Sequence, residues 1–407
     1  MTDLRLSRGE KGISDSNMSL NEAPSAVRTH IVFYGRTNVG KSSLVNRFTN
    51  QDLSIVSALE GTTTDPVRKA MELLPLGPVV VIDTPGLDDT TELGQARIKK
   101  AEEMLLLTDI AILVVDATIG LTKFDEELIA KFKAQNITFV VVYNKSDLIS
   151  NLQEGNVYTN AVTGEGVNEL REMVSKLVPQ DKTAPLVSDL LNPGDTVILV
   201  IPIDSAAPKG RIILPQQMVI RDALEAGAMP LVCKETELDS ALKALSNPPR
   251  LVITDSQAFN FVSSVVPSSI PLTSFSILMA RMKGNLMSSV EGAKALDSVK
   301  SSDVILISEG CTHHRQCEDI GTHKIPNMIR KYTGENPAFE FTSGREFPDD
   351  LSKYKLVVHC GACTLTTRDA ASRYSRAKSQ NVPITNYGVL IAQTQGILDR
   401  SIEVFYR

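Results

Sequence analysis

The chain has 407 residues, of which 42% are hydrophobic and 22% charged, with a formal net charge of −6. That composition excludes a disordered chain, and the length exceeds what one hydrophobic core serves, so two or three domains are expected. The acidic balance argues against a chain-wide basic surface, and no apolar run is long enough to span a bilayer, so neither nucleic acid nor membrane is an expected partner. Residues 1–27 are polar, mix both charge signs and read as a flexible tail without the apolar stretch of a secretory signal. The expected location is the cytoplasm, or an organelle matrix if that tail is a presequence.

Residues 30–34, 79–82, 110–115 and 138–143 are apolar runs that read as buried parallel strands, and 169–178 reads as the helix closing their domain. Polar and proline punctuation over 179–185 marks a linker. A second block shows strands at 196–203, 231–233 and 251–254, with a turn at Pro208-Lys209-Gly210 and helices at 215–227 and 235–245. Pro267 and Pro271 mark the next break. Beyond it come strands at 303–307, 338–341, 354–359 and 382–385, and helices at 325–332, 366–380 and 388–399. The expected fold is α/β throughout, as three α/β domains. A doubly wound P-loop sheet over 28–180 precedes two smaller Rossmann-like parallel-sheet domains over 187–266 and 272–407. No internal repeat is apparent.

Gly35-Arg36-Thr37-Asn38-Val39-Gly40-Lys41-Ser42 fits the GxxxxGK[ST] phosphate loop and lies between a strand and a helical run. Its glycines let backbone N–H groups wrap the phosphates; Lys41 would reach the β- and γ-phosphates and Ser42 would bind Mg²⁺. Asp83-Thr84-Pro85-Gly86 follows an apolar strand, where an aspartate faces the Mg²⁺ shell. Asn144-Lys145-Ser146-Asp147 follows another. A carboxylate there accepts from both guanine N1–H and the 2-amino group, which adenine cannot match, so the expected nucleotide is GTP.

Four of the five cysteines and four of the five histidines fall within 311–363, as Cys311-Thr312-His313-His314-Arg315-Gln316-Cys317 and His359-Cys360-Gly361-Ala362-Cys363. Clustered thiols in a chain without a secretory signal suggest metal ligation in a reducing compartment. Both groups follow expected strands, so a parallel sheet would bring them together at its carboxyl edge. Cys311, Cys360, Cys363 and one histidine make a Cys₃His set suited to structural zinc. Three cysteines with an open fourth position suit a [4Fe–4S] cluster equally well. Cys233, in an apolar run, reads as an ordinary core cysteine, and Cys317 as an extra thiol.

The order of the nucleotide motifs resembles the Era- and TrmE-like branch of GTPases. The resemblance matches Gly61-Thr62-Thr63-Thr64-Asp65 to that branch's switch I, with Thr64 where arginine is usual, and implies that Thr63 is a second Mg²⁺ ligand. Leu87 stands where Ras-like proteins orient water with glutamine, which implies slow intrinsic hydrolysis. Asn38 matches the asparagine that binds K⁺ in potassium-activated members. Asn160-Ala161 stands where the branch has Ser-Ala beside the guanine. Catalytic roles are thus expected of Lys41, Ser42, Thr63 and Asp83. Nucleotide contacts are expected from these loop and strand-end residues, with Val39, Ser43, Gly86 and Ala161 completing the site.

From about residue 18 onward the chain also resembles the HydF family of [FeFe]-hydrogenase maturation GTPases. The match joins the GTPase motifs to Ile201-Pro202-Ile203-Asp204-Ser205-Ala206-Ala207-Pro208-Lys209-Gly210-Arg211 and to the CxH and HCxxC segments. The resemblance implies a [4Fe–4S] cluster on Cys311, Cys360 and Cys363, with His313, His359 or Glu318 as fourth ligand. It further implies a homodimer formed through the middle domain. The role it implies is that of a scaffold or carrier that receives a diiron precursor made with two radical-SAM maturases and delivers it to apo-[FeFe]-hydrogenase. Ala362 replaces the second glycine of the family's usual Cys-Gly-Gly-Cys. Two other readings compete: a tRNA- or ribosome-associated GTPase with a structural Cys/His zinc, and a redox sensor using Cys311 and Cys317.

Overall fold

The computed structural model describes residues 28–50, 67–86, 104–177, 184–203, 212–310, 320–344, 346–363 and 365–406. The tail 1–27, the switch I segment with Thr63, Leu87, the 208–210 turn, and Cys311, His313, His314, Cys317 and Glu318 lie outside them.

The first sheet has six strands: β1 (Thr29–Tyr34), β2 (Val67–Leu73), β3 (Gly77–Asp83), β4 (Ile110–Asp116), β5 (Thr138–Asn144) and β6 (Val157–Thr159), in the order β2-β3-β1-β4-β5-β6. All neighbouring pairs are parallel except β2 and β3. The central strand β4 is buried along its whole length, as expected of an apolar, β-branched run covered on both faces. One face packs Leu44, Val45 and Phe48 of helix Lys41–Thr49 with Leu170 and Val174 of helix Val167–Lys176. The other packs Leu128 and Phe132 of helix Lys123–Ala134.

The second sheet comprises β7 (Thr196–Val200), β8 (Met229–Cys233), β9 (Leu251–Thr254) and β10 (Leu272–Ser274), ordered β10-β9-β7-β8. The third comprises β11 (Val304–Glu309), β12 (Ala338–Ser343), β13 (Leu356–His359) and β14 (Ile384–Asn386), ordered β12-β11-β13-β14. Both are wholly parallel.

These two sheets follow one plan. Reversed, the third order is β14-β13-β11-β12, and it matches the second strand for strand. The registers agree as well: Ile198 pairs with Val252 and Val252 with Leu272, just as Leu306 pairs with Val357 and Val357 with Ile384. The last strand of each leads into an equivalent helix, Phe275–Met282 or Tyr387–Thr394. Ser274 caps the first by accepting from Ile277 N–H, and Asn386 caps the second by accepting from Val389 N–H. Both helices end before a left-handed glycine, Gly284 at φ 73° and Gly396 at φ 69°. Residues 271–284 thus align without gaps on 383–396, with Pro, Thr, Leu, Ala and Gly coinciding. The expectation of no internal repeat is therefore corrected.

The two units share one core, in which Ile198 and Val252 join Ile305, Leu356 and Val389. At their junction the two helix starts approach so closely that a Cβ on Gly388 would fall 2.5 Å from Ser276 Cβ. The break expected at Pro267 and Pro271 also differs from the structure. Those prolines flank a loop inside the second unit, joining helix Phe259–Val265 to β10, whose pairing with β9 carries that unit past residue 266. The helix expected over 388–399 divides at Gly396 into Tyr387–Thr394 and Leu398–Ile402.

Candidate functional site: a phosphate loop and a thiol crevice

Three strand ends build the nucleotide site. β1 runs into the phosphate loop, where Asn38 (φ 63°) and Gly40 (φ 89°) take left-handed conformations. A Cβ on Gly40 would meet Asn144 Nδ2 at 2.3 Å, so glycine is required there by contact as well as by φ. Lys41, nearly buried, donates to the Gly35 and Arg36 carbonyls at 2.9 and 2.7 Å, which holds its ammonium over the loop. Ser42 and Ser43 are exposed at the helix start, as is Asn38 on the loop.

Asp83, closing β3, accepts from Ser42 Oγ at 2.6 Å. Its Oδ1 is buried without a hydrogen-bond partner among the described residues, an acceptor suited to the Mg²⁺ shell. Burial pushes this carboxyl up, against the opposing pull of Ser42, Lys41 and Lys69. Gly86 backs onto Thr37, whose Oγ1 would lie 2.2 Å from an added Cβ.

Asn144, closing β5, is buried and joins the site's two walls. Its amide donates to the Val39 carbonyl at 2.9 Å and accepts from Ala161 N–H at 3.0 Å and Thr159 Oγ1 at 3.3 Å. Lys145 (φ 64°) donates to Asp116 Oδ2 at 2.6 Å, and Asp147 stands exposed. Asp116 was not anticipated; its signal is a single acid closing the otherwise apolar β4. Burial works against its charge, yet hydrogen bonds from Lys145 and Thr118 hold its carboxyl below the usual range. Asn160, in place of the usual serine, accepts from Val162 and Thr163 N–H at 2.8 and 3.1 Å and so shapes the loop beneath Ala161.

The thiol crevice lies at the carboxyl edge of the third sheet. β11 and β13 are parallel neighbours with Ser308 opposite His359, so the chain leading to Cys311 and the loop bearing Cys360 leave the sheet side by side. Gly310, the residue before Cys311, donates its N–H to Cys360 Sγ at 3.1 Å, and Ala362 N–H points to the same sulfur at 3.3 Å. Two backbone donors on one sulfur favour its thiolate form. Among the described residues no three His, Cys, Asp or Glu side chains gather as a metal site.

His359 is buried at 1% exposure, and both ring nitrogens are engaged. Nδ1 lies 2.9 Å from its neighbour's carbonyl, Cys360 O, and Nε2 lies 3.2 Å from Arg373 Nη1. Arg373 can only donate, so Nε2 accepts and Nδ1 carries the proton. Arg373 also reaches Asp369 at 3.2 Å and the Gly344 carbonyl at 2.8 Å. Ala362 sits at φ 53°, the conformation for which glycine is the ordinary choice. Lys283, from the preceding unit, enters beneath this loop and donates to the Ala362 carbonyl and, at 2.9 Å, to that of Leu365. Burial pulls its ammonium down to about 8, against the opposing pull of Cys363, Cys360 and Asp369. Cys233 lies elsewhere, half-buried beside the shared core, and burial pushes its thiol up to about 11.

The nucleotide and thiol halves touch. Thr366 caps helix Thr367–Ser379, which follows the cysteine loop, by accepting from Asp369 N–H at 3.1 Å. Its hydroxyl also lies 3.4 Å from the Leu106 carbonyl of the first domain. Arg368 donates to the Gln135 and Asn136 carbonyls at 3.0 Å each.

A family model described as the hydrogen maturase F dimerization domain matches residues 186–284, and one described as its tetramerization domain matches 287–404. Together they cover more than half of the chain. The chain belongs to the hydrogen maturase F family. A third model, described as a 50S ribosome-binding GTPase, matches 30–145 and makes the first unit the family's GTPase domain.

Among curated proteins the chain is similar to tRNA modification GTPases MnmE. It is 34% identical over 156 residues to that of Nitrosomonas eutropha, covering 36% of this chain and 34% of the relative. It is 36% identical over 145 residues to that of Thiobacillus denitrificans, covering 35% and 32%. The chain thus spans about a third of the length of these relatives, in a stretch confined to the GTPase domain. Among solved structures it is similar to Aquifex aeolicus Era bound to GDP and AlF₄⁻, with 21% identity, a TM-score of 0.33, and coverage of 50% of this chain and 93% of that one. It is also similar to the G domain of the T. maritima FeoB iron transporter, with 23% identity, a TM-score of 0.27, and coverage of 36% and 96%. Among the described residues no helix is long and apolar enough to cross a membrane.

Proposed function

We propose that this hydrogen maturase F protein hydrolyses GTP and uses its third unit as an iron–sulfur scaffold. GTP would sit on the phosphate loop with Mg²⁺ held by Ser42, Thr63 and Asp83, and with guanine read by Asp147 beside Asn144 and Ala161. Asn38, exposed in the loop, would contact K⁺, and hydrolysis would be slow and K⁺-stimulated. Cys311, Cys360 and Cys363 would hold a [4Fe–4S] cluster, which supplies an iron corner for an exchangeable ligand. The homodimer would then receive a diiron precursor made with two radical-SAM maturases and deliver it to apo-[FeFe]-hydrogenase.

The observation that carries this reading is the pair of backbone donors on Cys360 Sγ, one of them from Gly310, the neighbour of Cys311. It sets the residue before Cys311 against the Cys360 sulfur, which supports a shared crevice, and two N–H donors there favour negative charge on that sulfur. The engaged ring nitrogens of His359 favour His313 or Glu318 over His359 as the fourth ligand. Supporting a link between turnover and cargo, Arg368 and Thr366 join the helix after Cys363 to the GTPase domain.

Anaerobic purification with iron and zinc analysis and electron paramagnetic resonance tests the reading. The expected result is about four irons per chain and a [4Fe–4S] signal lost in the Cys360→Ala variant. A colourless protein with stoichiometric zinc and no iron after reconstitution would instead favour the RNA-associated GTPase with a structural zinc. Equal hydrolysis rates in K⁺ and Na⁺ would remove the role given to Asn38.

A further inference from the structure

Lys283 stands at the end of helix Phe275–Met282, in the second unit, yet both of its hydrogen-bond acceptors belong to the third. The Ala362 carbonyl lies inside the cysteine loop, and the Leu365 carbonyl lies two residues beyond Cys363. An ammonium at 7% exposure is expensive to bury unless negative charge balances it. Among the described residues Lys283 has no ion-pair partner, and its hydrogen bonds go to neutral carbonyls. Asp369, whose charge acts on it, is already paired with Arg373 at 3.2 Å. The sulfurs of Cys363 and Cys360, on the loop it bonds, act with Asp369 to hold its ammonium up against burial.

The duplicated framework supplies an internal comparison. Lys283 in the first repeat corresponds to Gln395 in the second, each followed by a left-handed glycine. By strand register, the loop after β9 that corresponds to the cysteine loop begins Asp255-Ser256-Gln257-Ala258 and has no thiol. The charged member of the pair is the one whose bonds reach the cysteine loop.

We propose that Lys283 is a positioning residue for the thiol crevice: its ammonium, sent across from the neighbouring unit, holds the 360–363 loop in its ligating shape and balances the charge of the sulfur-bound cluster. The inference rests on the cluster reading above. Two consequences separate from each other. The hydrogen bonds fix the loop through the Ala362 carbonyl, and with it the spacing of Cys360 and Cys363. The positive charge stabilises the more negative, reduced form of a bound cluster, which raises its reduction potential.

The test compares wild type, Lys283→Gln and Lys283→Met as full-length protein, reconstituted anaerobically with iron and sulfide. Circular dichroism and GTP turnover report whether each variant is folded. Iron release to a chelator and the midpoint potential of the cluster signal are the readouts. Lys283→Gln keeps a donor but loses the charge, so its midpoint should fall below wild type. Lys283→Met loses both and should also release iron about tenfold faster. If Lys283→Met does not fold, Lys283→Gln alone decides. A potential and a release rate in Lys283→Gln equal to wild type would overturn the proposal. Absence of any iron–sulfur signal in wild type itself would instead strike the cluster reading, a result distinguishable from either variant's behaviour.

Discussion

Arg373 Nη1 lies 3.2 Å from His359 Nε2, so a ring nitrogen that a metal would need already accepts a hydrogen bond beneath the cysteine loop. The guanidinium holds four elements at once, since Ser308 Oγ at 3.4 Å, Gly344 O and Asp369 share it. His359→Gln should therefore retain wild-type iron content after reconstitution; iron reduced to the level of Cys360→Ala would show that His359 is a ligand. Arg373→Met leaves buried acceptors without a donor and should cost about 3 kcal/mol in denaturant unfolding of the apo protein.

Asn144→Ala removes three hydrogen bonds at once and leaves the buried Ala161 N–H without its acceptor. A loss of about 2 kcal/mol, or roughly 30-fold in guanine nucleotide affinity, is expected by titration calorimetry. Lys41→Ala should abolish GTP hydrolysis while leaving the cluster signal in place, because Lys41 donates to the Gly35 and Arg36 carbonyls of the phosphate loop, in a different domain from the cysteines. Loss of the cluster as well would show that the two sites depend on each other for folding.

The Arg368 contacts with Gln135 and Asn136 offer a direct handle on communication between the sites. In Arg368→Ala, hydrogen exchange should quicken at the start of helix Thr367–Ser379 and around residues 135–136. Any change that GTP produces in the cluster's resonance spectrum should shrink, with turnover itself unchanged. An undiminished GTP response would exclude this contact as a route between the sites.

Ala362 at φ 53° carries the steric cost of a Cβ in the left-handed region, partly offset by the smaller entropy lost on ordering alanine. Ala362→Gly should stabilise the apo protein by about 0.5–1 kcal/mol in thermal unfolding. A destabilised variant would mean that packing of the buried Ala362 methyl outweighs its backbone strain.

What could be read in the sequence follows from how strongly each segment announces itself. The strands ending at Asp83, Asn144 and His359 are apolar runs followed by motif residues, and their chemistry is written in consecutive letters. β2 was not anticipated because Arg68, Lys69 and Glu72 interrupt its pattern at the exposed sheet edge. β10 has three residues and follows a proline that looks like a boundary. The Asp116–Lys145 pair lies 29 positions apart in sequence and joins only through β4–β5 pairing. The repeat is faint in the sequence because only a few side chains coincide between 271–284 and 383–396. What the copies share is strand register and cap geometry, which depend on hydrogen-bonding pattern more than on residue identity.

Two copies of one framework, fused through a common core, differ at the carboxyl edge of the sheet in the residues their loops carry. Asp255 and Ala258 occupy the addresses that Cys360 and Cys363 occupy in the other copy, on strands of the same order and register. Thiols at such addresses can be added to or erased from a unit without redrawing its sheet. The copy whose corresponding loop carries no thiol keeps the same architecture free for other work, and an engineer wanting thiol ligands there would begin at residues 255 and 258.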